Sequence, residues 1–147
     1  MKIADFGLGR VCSYPIETMS KEIETLWYRS PELLLGSRNY NEGVDSWSIG
    51  CIFYELVEGT ALFQSESEIG QLFEIFKIIG TPHVKDWPEI VSMEDFKPNF
   101  PKFYPRPIQT KKLSVDGLKW MLKLLKANPK QRMGVNEALY DEYLYKK

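Results

Sequence analysis

The sequence has few of the residues that build metal sites and disulfide frameworks. Its 147 residues include two cysteines, Cys12 and Cys51, and one histidine, His83. Two cysteines are too few for a disulfide framework or a metal-binding cluster, and such usage is typical of a reducing compartment. A single histidine excludes a histidine-rich metal site. We expect Cys12 to be a loop thiol, Cys51 a core thiol and His83 a loop residue.

Charge of one sign and long apolar runs are also scarce. The 19 basic and 20 acidic residues give a formal charge of −1, with no basic stripe, so we predict no nucleic-acid partner. Because no apolar run has membrane length and no signal-like region follows the N-terminus, we predict no membrane partner. The apolar fraction of 44% is near the globular norm, and the length predicts one domain.

Helical periodicity dominates the middle and the end of the chain. Between Val44 and Val57, apolar residues cover almost every face, which predicts an interior helix that Gly59 can end. Residues 67–79 are amphipathic, with Ser67 as a suitable N-cap. Further helices are predicted at about 115–125, after Asn128-Pro129, and at about 135–143.

Three other stretches lack a helical period. Residues 2–8 predict a short strand that runs into a turn, and residues 9–25 predict a long loop of the kind that is usually functional or mobile. Residues 81–112 carry several prolines and aromatics, so we expect an irregular but packed insertion. The expected fold class is mainly α, with about five helices and a remnant strand at the N-terminus.

Short motifs in a fixed order carry the functional signal. Asp5-Phe6-Gly7 is followed about 25 residues later by Pro31-Glu32, which is the frame of a protein-kinase activation segment. From residue 2 to about 145, the chain resembles the C-terminal lobe of a eukaryotic protein kinase of the cyclin-dependent family. The matching stretches are 2–8, 25–36, 44–53, 67–69, 71–73 and 80–82. The resemblance implies a partial kinase domain over 1–147, with an activation segment (5–32), a helical lobe (33–147) and a family insert (about 81–112).

The resemblance implies that the first motif serves the nucleotide. Asp5 would be a ligand of the Mg²⁺ that bridges the phosphates of ATP and offsets their charge. The alternative is a turn aspartate that precedes Gly7. Phe6 would pack under the nucleotide site, and Gly7 would free the backbone to turn. ATP and Mg²⁺ are therefore the expected cofactors, with weak or no binding by this chain alone.

The same resemblance implies a regulatory phosphate. Ser20 matches the position at which the family carries its activating phosphate, and Arg10 is one of the arginines expected to pair with it. A solvated loop serine is the alternative for Ser20. The family usually has threonine at this position, so serine is a chemically conservative change.

Four residues match the family's substrate platform. Ile23, Glu24 and Thr25 would receive the residue that follows the phosphoacceptor, and Arg29 would hold the strained backbone there. Most family members carry an apolar residue in place of Glu24, so proline-directed specificity is left open. Thr25 matches the threonine that contacts the catalytic aspartate in serine/threonine kinases.

Three further residues match structural positions of the family. Glu32 and Arg132 would form a buried ion pair that clamps the activation segment to the lobe. Asp45 would anchor the catalytic loop by accepting backbone N–H bonds. An ordinary N-cap aspartate is the alternative for Asp45, with the same geometry.

Residues 65–73 resemble the surface on which small cell-cycle adaptor subunits dock. The alternative places Leu72, Phe73 and Phe76 in the core. By resemblance, the expected partners are a cyclin, a small adaptor subunit, an activating kinase and protein substrates, and the expected location is nucleus and cytoplasm.

Several groups that a working kinase needs are not found in the sequence. No His-Arg-Asp triplet and no Gly-x-Gly-x-x-Gly loop occur. We therefore expect that the N-terminal lobe and the catalytic loop are absent and that the chain alone transfers no phosphate. The alternative function is a non-catalytic interaction module or decoy that keeps the platform and the adaptor surface. We also expect an exposed apolar patch on the 44–57 helix and marginal stability.

Overall fold

Helices dominate the structure. A computed structural model describes residues 2–8 and 25–145. Within these residues six α-helices follow one another: α1 (Pro31–Leu34), α2 (Gly43–Glu58), α3 (Glu68–Ile79), α4 (Val115–Leu124), α5 (Val135–Leu139) and α6 (Glu142–Tyr145). Short 3-10 turns lie at Phe6–Leu8, Leu26–Tyr28, Pro88–Ser92 and Pro129–Gln131. The mainly α class predicted from the sequence is confirmed.

Capping residues fix the ends of the long helices. The hydroxyl of Ser67 accepts a hydrogen bond from the backbone N–H of Gly70 at 3.2 Å, and so caps α3. Helix α2 ends at Gly59, whose φ of 85° lies in the left-handed region. Glycine adopts this conformation without the steric penalty of a Cβ atom. Both helix ends are those that the sequence predicts.

Two predicted elements differ in the structure. Residues 2–8 form no strand; a 3-10 turn occupies Phe6–Leu8 instead, because a strand needs a neighbouring strand for its hydrogen bonds. The single helix predicted over 135–143 is divided into α5 and α6. The division occurs because the carboxylate of Asp141 accepts a hydrogen bond from the backbone N–H of Tyr143 at 3.0 Å, which starts a new helix.

The main core lies between α1, α2, α3 and the segment that follows α3. Trp47, Ile75 and Phe76 are fully buried at its centre. Trp87 and Ile90 of the proline-rich stretch are buried in the same cluster. This stretch therefore packs on the helices although most of it is irregular.

Helix α2 is less buried than its apolar sequence predicts. One face is buried, formed by Ser46, Trp47, Gly50 and Cys51. On the rest of the helix, Ile49 and Phe53 are half-buried and Leu56 is 66% exposed. The apolar composition predicts an interior helix, but only one face is buried, and the exposed Leu56 agrees with the expectation that part of the apolar surface of this helix is uncovered among the described residues. No helix in the described ranges is long and apolar enough to cross a membrane.

Candidate functional site

The Asp5-Phe6-Gly7 motif forms a tight turn. Asp5 has a φ of 59°, in the left-handed region that aspartate tolerates better than most residues. The backbone N–H of Gly7 donates to Oδ1 of Asp5 at 3.4 Å. A Cβ atom on Gly7 would lie 3.3 Å from the same oxygen, so the turn favours glycine there. This geometry is compatible both with a metal ligand and with a simple turn aspartate.

Phe6 is not covered by the described residues. Its side chain is 75% exposed, because these residues supply no apolar surface over its ring. The packing of Phe6 under a nucleotide site, which the resemblance implies, stays a prediction.

The described residues do not assemble a metal centre. Nowhere in residues 2–8 and 25–145 do three or more His, Cys, Asp or Glu side chains converge as a metal site. Mg²⁺ in kinases is held by one or two carboxylates together with phosphate oxygens and water. Asp5 can offer one carboxylate, and no described group is placed to hold the phosphates with it. These residues alone do not fit the Mg²⁺–ATP complex.

Several predicted residues cannot be placed. Arg10, Ser20, Ile23 and Glu24 lie outside the described residues, as does Cys12. The regulatory phosphate, its arginine partner and most of the substrate platform therefore stay predictions. The described part of the platform begins at Thr25, which is exposed.

Residues 25–30, the described part of the platform and the turn that continues it, are anchored to α2. The hydroxyl of Tyr28 donates to Oε2 of Glu55 at 2.6 Å, and the hydroxyl of Ser48 donates to the carbonyl of Tyr28 at 3.0 Å. The hydrogen bond to Glu55, together with burial and the negative charge of Glu55, raises the pKa of Tyr28 to about 12. The phenol therefore keeps its proton at neutral pH and donates a hydrogen bond to Glu55.

The same segment is also joined to the start of α3. Nη1 of Arg29 lies 2.8 Å from Oε1 of Glu68, and the side chain of Arg29 is only 11% exposed. Two residues earlier, the indole N–H of Trp27 donates to the carbonyl of Ser65 at 3.1 Å. The described platform is thus held from two sides, by α2 and by the segment that begins α3.

Glu32 and Arg132 form the ion pair that the resemblance implies. Nη1 and Nη2 of Arg132 donate to the two carboxylate oxygens of Glu32 at 2.7 and 2.9 Å, and both side chains are buried. Arg132 also donates to three backbone carbonyls, and its guanidinium lies 5.2 Å from the ring centre of Trp47. Such two-bond pairs between arginine and carboxylate are strong and geometrically specific.

Asp45 lies in the first turn of α2 but is not its N-cap. Glu42 holds that position and makes no side-chain capping bond, so the N-cap alternative for Asp45 was wrong. Partial burial of the carboxyl group and the nearby charge of Glu42 raise the pKa of Asp45 above its usual range. A carboxylate stabilised by several backbone N–H donors would show the opposite shift. Its role in anchoring a catalytic loop stays a prediction.

The surface predicted for an adaptor is divided between core and solvent. Leu72 and Phe76 are buried, and the ring of Phe73 packs edge-on against Phe100 with centroids 5.7 Å apart. These side chains belong to the core, which is what the alternative to an adaptor surface predicted. Ile69 is 48% exposed, so the start of α3 is the accessible part of this surface.

Sequence reasoning missed the roles of three side chains. Glu55 and Glu68 anchor Tyr28 and Arg29 from positions 27 and 39 residues away, and such distances leave no periodic signal. Gln71 is fully buried, and neither of its amide atoms has a hydrogen-bond partner within residues 2–8 and 25–145. A signal for Gln71 was available, because it lies four residues before Ile75 on the apolar side of α3.

A separate cavity of about 520 Å³ lies between the 36–41 loop and segments 87–94 and 128–130. Two exposed ion pairs flank it, Arg38–Glu94 and Lys130–Glu89. Among the described residues, its walls include one predicted site residue, Glu32, whose carboxylate is already bound by Arg132. The cavity is therefore not part of the platform.

The comparison with known families identifies the class of protein. The family model of the protein kinase domain matches residues 1–144, and this chain belongs to that family. The match includes the Asp5 turn, the anchored 25–30 segment and the Glu32–Arg132 pair. Members of the family use ATP and Mg²⁺ for phosphoryl transfer.

Proposed function

We propose that this chain is part of a cyclin-dependent serine/threonine protein kinase, and that it supplies the activation segment and the substrate-facing part of the lobe. The observation that carries the proposal is the fixation of residues 25–30 by α2 and α3, directly before the buried Glu32–Arg132 pair. Recognition of an extended substrate needs a backbone held in one geometry. The cyclin-dependent branch is favoured by the motif resemblance at 27–32 and 80–82.

Regulation and substrate choice follow from the same proposal. Ser20 would accept the activating phosphate and Arg10 would help to bind it, while a cyclin and an activating kinase would act as partners. Thr25 matches the threonine that contacts the catalytic aspartate in serine/threonine kinases, and this match supports serine and threonine as the phosphoacceptors. Strict preference for proline after the phosphoacceptor is not proposed, because Glu24 introduces a negative charge at a position that is usually apolar. Nucleus and cytoplasm remain the proposed locations.

The 147-residue polypeptide by itself is proposed to be inactive. One carboxylate cannot align ATP and Mg²⁺, because fixed positioning and electrostatic stabilisation supply most of the catalysis of phosphoryl transfer. The test is incubation of the purified chain with radiolabelled ATP and with histone-type and Ser-Pro peptides, beside the Asp5→Ala variant. We expect no transfer above that variant. Transfer by the wild-type chain that Asp5→Ala abolishes would refute the proposal.

A second function is a non-catalytic interaction module or decoy. The exposed Ile69, close in sequence to the Trp27–Ser65 contact, favours it because an accessible apolar side chain beside an anchored segment is suited to binding a partner. Reading the DNA upstream of the first codon distinguishes the two functions. An in-frame glycine-rich loop and catalytic aspartate would support the enzyme, and a used start codon with stable protein of this mass in cells would support the module.

A further inference from the structure

Two contacts join the platform to one short segment, residues 65–68. Arg29 pairs with Glu68 across 2.8 Å, and the indole N–H of Trp27 donates to the carbonyl of Ser65 across 3.1 Å. Both contacts connect positions that are 38 or 39 residues apart in the chain. Trp27 and Arg29 flank Tyr28, so the two contacts hold the platform on both sides of its α2 anchor.

The accepting segment is itself tightly built. The hydroxyl of Ser65 donates to the carbonyl of Ser67 at 3.3 Å, and the hydroxyl of Ser67 caps α3 at Gly70. A Cβ atom on Gly70 would lie 2.3 Å from Oγ of Ser65, so a larger residue there would force the Ser65 hydroxyl to move. The backbone of residues 65–68 is therefore held close to the start of α3.

The two partners of this ion pair differ in burial. The side chain of Arg29 is 11% exposed, whereas that of Glu68 is 53% exposed. A guanidinium cannot give up its charge, so a largely buried arginine depends on its hydrogen-bond acceptors for its orientation. Glu68 reaches Arg29 from the solvent side, where its own side chain is accessible.

We infer that Glu68, with the carbonyl of Ser65, positions the substrate platform through Arg29 and Trp27. This inference rests on the proposed kinase function, and it assigns to the start of α3 the task of ordering residues 25–30. Glu68 does not contact substrate in this account; it is a positioning residue. Loss of its charge loosens the platform while the core, which lies on the other side of α3, keeps its packing.

Amide hydrogen exchange on the ¹⁵N-labelled full chain tests the inference. The N–H of Arg29 donates to the carbonyl of Leu26 at 3.1 Å, so its exchange rate reports whether the platform turn is closed. We expect Glu68→Gln to raise that rate about two- to fivefold, the effect of losing one half-exposed ion pair. The melting temperature should not change, which separates positioning from a purely structural role.

Glu66→Gln is the matched control, since Glu66 is an exposed acid in the same segment. It should leave both the exchange rate of Arg29 and the indole resonance of Trp27 as in the wild type. An unchanged Arg29 exchange rate in Glu68→Gln would overturn the inference. The same rise in Glu66→Gln would overturn it as well, because the effect would then be one of general charge.

Titration with a Ser-Pro peptide separates this inference from the function on which it rests. A shift of the Trp27 indole resonance that is large in the wild type and reduced in Glu68→Gln supports both. Equal shifts in the two proteins overturn the positioning role and leave the platform function intact. The absence of any shift in the wild type overturns the platform function, while the exchange experiment still decides whether Glu68 orders the segment.

Discussion

Arg132 binds Glu32 from 100 residues further along the chain, through two hydrogen bonds within a buried site. Glu32 lies in α1, directly after the platform, and Arg132 follows the short turn at Pro129–Gln131. The pair therefore connects the end of the activation segment to the C-terminal part of the fold. Because both charges are buried, the effect of losing one of them is large and measurable.

Arg132→Met is expected to lower the free energy of unfolding by about 3–5 kcal/mol, because the carboxylate of Glu32 would remain buried without its partner. Urea denaturation measures this change. The control is Arg38→Met, which breaks the Arg38–Glu94 pair, whose side chains are 64% and 57% exposed. That variant should lose at most about 1 kcal/mol. Equal small losses in both variants would contradict the structural role of the buried pair.

Gln71→Met should leave stability unchanged or raise it by about 1 kcal/mol. The side chain of Gln71 is fully buried and its amide oxygen and nitrogen have no hydrogen-bond partner in the part of the chain that the structure describes, so an apolar side chain of similar shape removes a desolvation cost. The comparison is Gln131→Met, which loses a hydrogen bond at the surface to the carbonyl of Asp86. A clear destabilisation by Gln71→Met in thermal unfolding would mean that ordered water satisfies the amide.

The Tyr28→Phe variant should lose less stability than the wild-type chain as the pH rises into the alkaline range. The hydrogen bond to Glu55 raises the pKa of Tyr28 to about 12 in the folded chain, above the usual value for tyrosine of about 10. Folding thus retains a proton that the unfolded chain releases, so this contribution is present below about pH 10 and is lost between about pH 10 and 12.

Melting temperatures measured from pH 8 to about 12 check this prediction. Burial also raises the pKa of Cys51 and of Tyr54, so the difference between variants is the informative quantity. Tyr104→Phe is the control, because Tyr104 is 87% exposed. If Tyr28→Phe and Tyr104→Phe had the same pH profile, the bond to Glu55 would not stabilise the platform.

The Glu58→Gln variant should lose less stability than the wild-type chain when the pH is lowered. The carboxylate of Glu58 accepts backbone N–H bonds from Lys112, Lys111 and Leu113, and these bonds lower the pKa of Glu58. A lowered pKa gives stability that is present above about pH 4.3, the usual pKa of glutamate, and that disappears as the pH falls further, through the lowered pKa. Thermal unfolding between about pH 3 and 7 measures the effect. Glu66→Gln should keep the wild-type profile; the same change in both variants would contradict the assignment.

The sequence predicts the elements that local chemistry controls. The ends of α2 and α3 follow from Gly59 and Ser67, whose capping roles depend on neighbouring residues alone. The Glu32–Arg132 pair was predictable only because motifs in a known order carry long-range information. Periodicity by itself cannot connect residues that are 100 positions apart.

Other features depend on tertiary contacts that no local pattern reports. The Arg29–Glu68 pair lies between a turn and a helix that are distant in the sequence. The break at Asp141 follows from a side-chain bond that competes with helix continuation. The exposure of Phe6 depends on surfaces that the described residues do not provide. The ion pair thus depends on a residue distant in sequence, and the helix break depends on a local competitor for the backbone N–H.

Isothermal titration of the purified chain with Mg²⁺–ATP shows whether these residues form a nucleotide site by themselves. We expect no magnesium-dependent binding up to about 1 mM ATP, the upper end of usual Michaelis constants, and the same absence of binding for Asp5→Asn. Saturable, magnesium-dependent binding in the micromolar range that Asp5→Asn abolishes would contradict the claim that these 147 residues hold one ligand of a nucleotide site and not the site itself.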